Sequence, residues 1–193
     1  MKPITIDEVL TFADYERVRP RLRPLFMHEK DRRRIAVGAH LTFLFENAQT
    51  VWYQIAEMIR AEKLTEPAAI QNEIDTYNEL LPAAGELVAT LFVEYGDPHE
   101  RDAALRRLVG IEEHLCLMLG ARRVAAEFDV RQMSSEQVSA VQFVRFKLGA
   151  ISPEEFVGLA REGKLALEAS HPSLAARAAI TPELAAALGE DLG

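Results

Sequence analysis

The chain has 193 residues, 49% apolar and 27% charged, with a net charge of −8 and a single cysteine, Cys116. That composition suits one packed domain and excludes an intrachain disulfide framework or a zinc ribbon. No apolar run approaches the ~18 residues a membrane helix needs, and MKPITIDEVL has acidic residues where a signal peptide carries its apolar stretch. A cytoplasmic protein without a membrane partner is therefore expected. The charge is uneven. Residues 17–34 (RVRPRLRPLFMHEKDRRR) set eight Arg/Lys against Glu29 and Asp31, a local +6 that leaves −14 for the remainder. An acidic background of that size argues against nucleic-acid binding over the whole surface, while the basic segment can hold an anion.

Along the chain, Thr5 is placed to cap IDEVLTF and Asp14 to cap a second short helix, which Pro20 and Pro24 interrupt or end. From Ile35 the apolar period becomes two. Ile35, Val37, Ala39, Leu41, Phe43 and Phe45 share one face, which predicts a strand with one core side. A helix over 48–62 buries Val51, Ile55, Met58 and Ile59, and a short turn leads to a second helix over 67–81. So short a link predicts an αα-hairpin. Strands are predicted at 86–95, 114–119, 122–128 and 138–148, with a helix from Asp97-Pro98 to Val109. After Gly149 the chain turns Ala-rich, with helix starts at Ser152-Pro153-Glu154-Glu155 and Thr181-Pro182-Glu183. The expected fold is α+β. Residues 1–149 form one domain, with a mixed, mainly antiparallel sheet of about five strands carrying the αα-hairpin and further helices, and 150–193 form a helical C-terminal tail.

Candidate sites follow from spacing. Asn47, Thr50, Gln54 and Glu57 form one stripe on the first hairpin helix, and Gln71, Asp75 and Asn78 form a row on the second, where Glu73 lies one turn before Tyr77. If the rows meet, His40, Glu46, Gln54, Glu57, Glu73 and Tyr77 line a groove for a polar ligand, or for acid–base chemistry if one carboxylate is desolvated. No particular catalytic residue is assigned. Arg32, Arg33 and Arg34 are the anion-binding candidates.

A metal is not expected. The only Glu-x-x-His, Glu168 to His171, lies in the tail, and His40 would have to meet His114 and Cys116 across neighbouring strands. There is no Gly-x-Gly-x-x-Gly, P-loop, Gly-x-Ser-x-Gly or His-Glu-x-x-His, so no cofactor is implied.

MKPIT, HLTFLFENAQTVWYQIAEMIRAE, IQNEIDTYNELLP, GELVATLFVE and SAVQFVRF, in that order, resemble the bacterial DUF3501 family over about residues 1–148, the tail departing from its pattern. The resemblance implies no known activity and transfers no site residue. It does imply an accessory role near rubrerythrin-like and iron–sulfur proteins, a redox or oxidative-stress setting. The expectation is a non-enzymatic binding or accessory protein, a homodimer with a redox-type protein partner. The alternatives are a carboxylate acid–base enzyme using the groove between helices 48–62 and 67–81, and an anion or nucleic-acid binder through 17–34.

Overall fold

A computed structural model describes residues 1–132 and 134–192. Its strands form two antiparallel sheets. The first has the order β1 (Arg34–Val37), β2 (Leu41–Phe45), β3 (Glu86–Val93), β7 (Val141–Lys147), β6 (Glu127–Phe128). The second has the order β5 (Arg122–Ala125), β4 (Leu115–Leu119), β8 (Leu165–His171), β9 (Leu174–Ala179). The segment 122–128 belongs to both, pairing with β4 at its start and with β7 at its end. At the other side β1 lies against β9. Phe43, Leu91, Phe146, Leu117 and Leu167 fill one apolar core between the sheets. The α+β class holds, with two sheets in place of one.

The period-two run from Ile35 is a hairpin, not one strand. Gly38 takes φ +69°, and Val37 pairs with Leu41 across three turn residues. An odd-numbered turn keeps odd residues opposite odd residues, so the predicted core face survives the fold-back. Gly38 also lies against β9, where an added Cβ would sit 2.8 Å from the Ala176 Cβ.

At the N-terminus Thr5 caps only a short 3-10 turn, Ile6–Glu8. Then α1 (Phe12–Arg32) runs unbroken through Pro20 and Pro24, capped by Thr11 rather than Asp14. The two prolines are four apart and both exposed, so the carbonyls they leave without a donor can be hydrated. The expected αα-hairpin, α2 (Ala48–Glu62) and α3 (Pro67–Asn78), covers the outer face of the first sheet, and α1 packs on α2. α4 (Pro98–Arg107) contributes Ala104 and Leu105 to the core between the sheets.

The tail contains its two expected helices, α5 (Pro153–Arg161) and α6 (Pro182–Gly189), packed on each other. Between them, however, lies the β8–β9 hairpin. Its alanines favour helix intrinsically, but β8 is held on both edges by β4 and β9, and pairing overrides propensity. Gly193 lies outside the described residues. No described helix is long and apolar enough to cross a membrane.

Candidate functional site

The predicted polar stripe is real, and much of it is buried. Asn47 caps α2 by accepting the Thr50 N–H at 2.9 Å, and the Thr50 hydroxyl accepts the Asn47 N–H at 2.9 Å. Thr50 also donates its hydroxyl to Glu46, at 2.5 Å, and Thr90 of β3 donates to the other Glu46 oxygen at the same distance. Glu46 is 4% exposed with both oxygens engaged. Asn47 passes its amide N–H to Glu29 on α1 (2.8 Å), and Arg33 donates to the same Glu29 oxygen (2.8 Å). Burial acts to raise the Glu29 carboxyl, but the bonds from Arg33 and Asn47 outweigh it and hold the carboxyl below its usual range.

Arg33 then reaches the end of the chain. It is 0% exposed and donates to Asp191 at 2.5 Å and to the Ala187 carbonyl at 3.0 Å. Burial pushes the Asp191 carboxyl up to about 6 against the opposing pull of Arg33. A continuous line of buried hydrogen bonds thus runs Asp191, Arg33, Glu29, Asn47, Thr50, Glu46, Thr90. It ties α6, α1, α2 and the sheet together.

Of the six groove candidates, Glu57 and His40 stand apart, while the charges of Glu73 and Glu46 both act on Tyr77. Glu57 turns toward α1, where Arg19 grips it with two bonds (2.6 and 2.9 Å) and the Tyr15 hydroxyl donates at 2.6 Å. Arg19 first, then Tyr15, hold its carboxyl below the usual range. Glu73 has no ion pair among the described residues, and burial with the neighbouring Glu62 charge raises its carboxyl. His40 is remote. It sits in the β1–β2 turn, stacked on Tyr95 at 3.9 Å with its Nδ1 3.0 Å from the Glu94 carbonyl. The length of β2, roughly 3.3 Å per residue, separates it from Glu46.

Glu46, Gln54 and Tyr77 do come together. Gln54 sits beside Tyr77, whose phenol is pushed up by burial, with Glu73, Glu62 and Glu46 adding to the effect. Lys30 of α1 completes this group and was not among the predicted residues. Its Nζ lies 3.5 Å from the Gln54 oxygen and 5.1 Å from the centre of the Tyr53 ring. Burial lowers its ammonium pKa, the Glu46 charge opposes that shift, and the Arg34 charge adds to it. Sequence signal for Lys30 exists only in hindsight, as the one lysine in a segment otherwise written in arginine.

Arg32, Arg33 and Arg34 do not form one surface. Arg32 pairs with Glu190 at 2.6 Å and Glu29 at 3.2 Å, Arg33 is buried, and only Arg34 is exposed. His40 on the β1–β2 turn belongs to the first sheet, and Cys116 within β4, with His114 just before it, belongs to the second, so they do not share a face. Glu168 and His171 lie on β8, where a spacing of three puts them on opposite faces. Among the described residues no three His, Cys, Asp or Glu side chains are grouped to hold a metal. Two surface clefts, of about 520 and 590 Å³, are lined by other residues. The first runs from Thr76 to Arg145 beside Phe143, and the second includes Met1, Phe26 and Trp52.

The family model for DUF3501, described as a protein of unknown function, matches residues 3–192. The chain belongs to this family. The match includes the tail, against the expectation that the tail departs from the family's pattern. A crystal structure of a novel protein of unknown function from Burkholderia pseudomallei K96243 is similar to the chain at 36% identity, with TM-score 0.88 and full coverage of both chains. Comparison with curated proteins returns no match.

Proposed function

We propose that this DUF3501 protein is a non-enzymatic binding or accessory protein that takes a small polar ligand at the group formed by Lys30, Glu46, Gln54 and Tyr77. The observation that supports this reading is the state of the carboxylates. Glu46 has both oxygens bonded to threonine hydroxyls, Glu57 is clamped by Arg19 and Tyr15, and Glu29 is held by Arg33 and Asn47. A general base needs a lone pair facing its substrate and a pKa near the working pH. The oxygens of these three are already engaged by fixed donors, and the Glu29 and Glu57 carboxyls are held below their usual range, whereas the amide of Gln54 and the phenol of Tyr77 are groups that orient a ligand.

In this reading the partner is a redox protein in a cytoplasmic, oxidative-stress setting, and a homodimer belongs to the same reading. Leu25, 66% exposed on α1, offers an apolar contact for such association. Nucleic acid is not the proposed partner, since two of the three clustered arginines are paired within the fold.

The test is a screen of small carboxylates, phosphates, amines and amides by ¹⁵N NMR, following the Gln54 side-chain amide. Saturable shifts there, lost in Gln54→Ala, support binding at this group. Turnover of any compound that Glu73→Gln abolishes would replace the reading with a carboxylate enzyme, because Glu73 is the groove carboxylate with a raised pKa.

A further inference from the structure

Six Arg and Lys side chains are withdrawn from full exposure: Arg19, Lys30, Arg32, Arg33, Arg60 and Arg145. Five of them sit against a carboxylate, Arg19 on Glu57, Arg32 on Glu29 and Glu190, Arg33 on Glu29 and Asp191, Arg60 on Glu16, and Arg145 on Glu86. Lys30 is the exception. No carboxylate oxygen lies within 4.0 Å of its Nζ among the described residues. A half-buried ammonium loses hydration that an amide oxygen at 3.5 Å and the face of one ring replace only in part.

Its surroundings are cationic on one side. Arg34 opens β1 four residues on, opposite Leu44 and therefore on the sheet face that Glu46 shares. It is exposed, has no carboxylate partner among the described residues, and its charge acts on Lys30. Arg23 lies seven residues before Lys30, hence on the same stripe of α1, and its charge acts on the Tyr53 phenol. Glu46 is the negative group facing Lys30 from the sheet, but its oxygens are closed off by Thr50 and Thr90. Glu57, the other negative charge acting on Lys30, is neutralised by Arg19.

We propose that Lys30 and Arg34, with the side-chain N–H of Gln54, form a site for an oxyanion carrying at least two negative charges, a phosphate ester or a dicarboxylate. This names the ligand class of the binding group above and rests on that reading. The chemistry is complementary. The ammonium offers three donors around a point charge, and the exposed guanidinium offers a planar fork that matches two oxygens at once.

The experiment is calorimetric titration of the full chain with inorganic pyrophosphate and, separately, with malonate, in buffer of constant ionic strength set with sodium chloride. The wild type is expected to bind one of the two saturably at one site per chain, and the one it prefers tells phosphate from carboxylate. Affinity should fall at least tenfold in Lys30→Met and in Arg34→Gln and stay unchanged in Arg21→Gln, an exposed cation elsewhere on α1. Arg34 is exposed, so its variant keeps the test valid even if Lys30→Met folds poorly. Absence of saturable binding to either anion overturns the proposal, as does an equal loss in all three variants, which would mark a diffuse charge effect. If Gln54 responds to other compounds while both oxyanions fail, this site assignment falls and the binding reading stands. If nothing moves Gln54, both fall.

Discussion

The space between the two sheets is filled by Phe43, Phe146, Leu117 and Leu167, all fully buried and apolar, while the helical layer outside the first sheet is seamed by Glu29, Arg33, Asn47, Thr50 and Glu46. One region is held by removing hydrocarbon from water, an effect that is undirected and needs no particular partner atom. The other depends on bonds that each need a named partner, and an unpartnered group there is costly. The difference teaches how to read polar residues in this protein. A row of them on a helix marks a place where elements must be joined, and a site is what remains after the joining bonds are subtracted. In the reading proposed above the remainder is Lys30, with Gln54 and Tyr77.

The comparison can be broken most easily at its two anchors. Arg33→Ala leaves Asp191 buried without its cation and Glu29 with Arg32 alone, and the expected loss of unfolding free energy is about 3–5 kcal/mol. Phe146→Ala, at 0% exposure in the apolar core, should cost about 3–5 kcal/mol through cavity formation. Urea unfolding measures both. A loss below about 1 kcal/mol for Arg33→Ala would mean that the polar seam joins nothing of consequence.

Gly38→Ala probes where β1 meets β9. A side chain at φ +69° with its Cβ 2.8 Å from the Ala176 Cβ should cost about 1–3 kcal/mol in the same assay. An unchanged midpoint would show that the two edges are not in contact in solution. Thr90→Val removes one donor from the buried Glu46, with an expected cost of about 1–3 kcal/mol. A neutral result would mean that water reaches that oxygen.

The smallest effect is pH-dependent. The Glu57 carboxyl is held below its usual range in the fold, so its stabilising contribution is complete above the unfolded carboxyl pKa of about 4.3. It is lost as pH falls through the lower folded value. The difference in melting temperature between wild type and Glu57→Gln should therefore be present at neutral pH and shrink on the acid side. A difference that grows on acidification contradicts the Arg19–Glu57 pairing.

Much of the fold was legible in the sequence because local periodicity reports burial. The helix pair, the strand at 86–93 and the odd-numbered face from Val37 to Phe45 follow from which side chains must leave water. The helix through Pro20 and Pro24 and the strands of the Ala-rich tail were not legible, because solvent exposure in one case and cross-strand pairing in the other overrode the local signal. For the site, the oriented row was readable, and so was the approach of Gln54 to Tyr77 across the helix pair. What was not readable is which carboxylates would be closed off. The partners of Glu57 and Arg33 lie up to 158 residues away, beyond any helical spacing rule.

Lys30→Met offers the most direct test of the central claim, by urea unfolding with and without pyrophosphate or malonate, whichever binds. If Lys30 is a cation kept for a ligand, the methionine variant will be as stable as wild type or more so without ligand, and the anion will stabilise wild type alone. If Lys30→Met instead loses as much stability as Arg33→Ala and both proteins ignore the anion, Lys30 is one more joint of the polar seam.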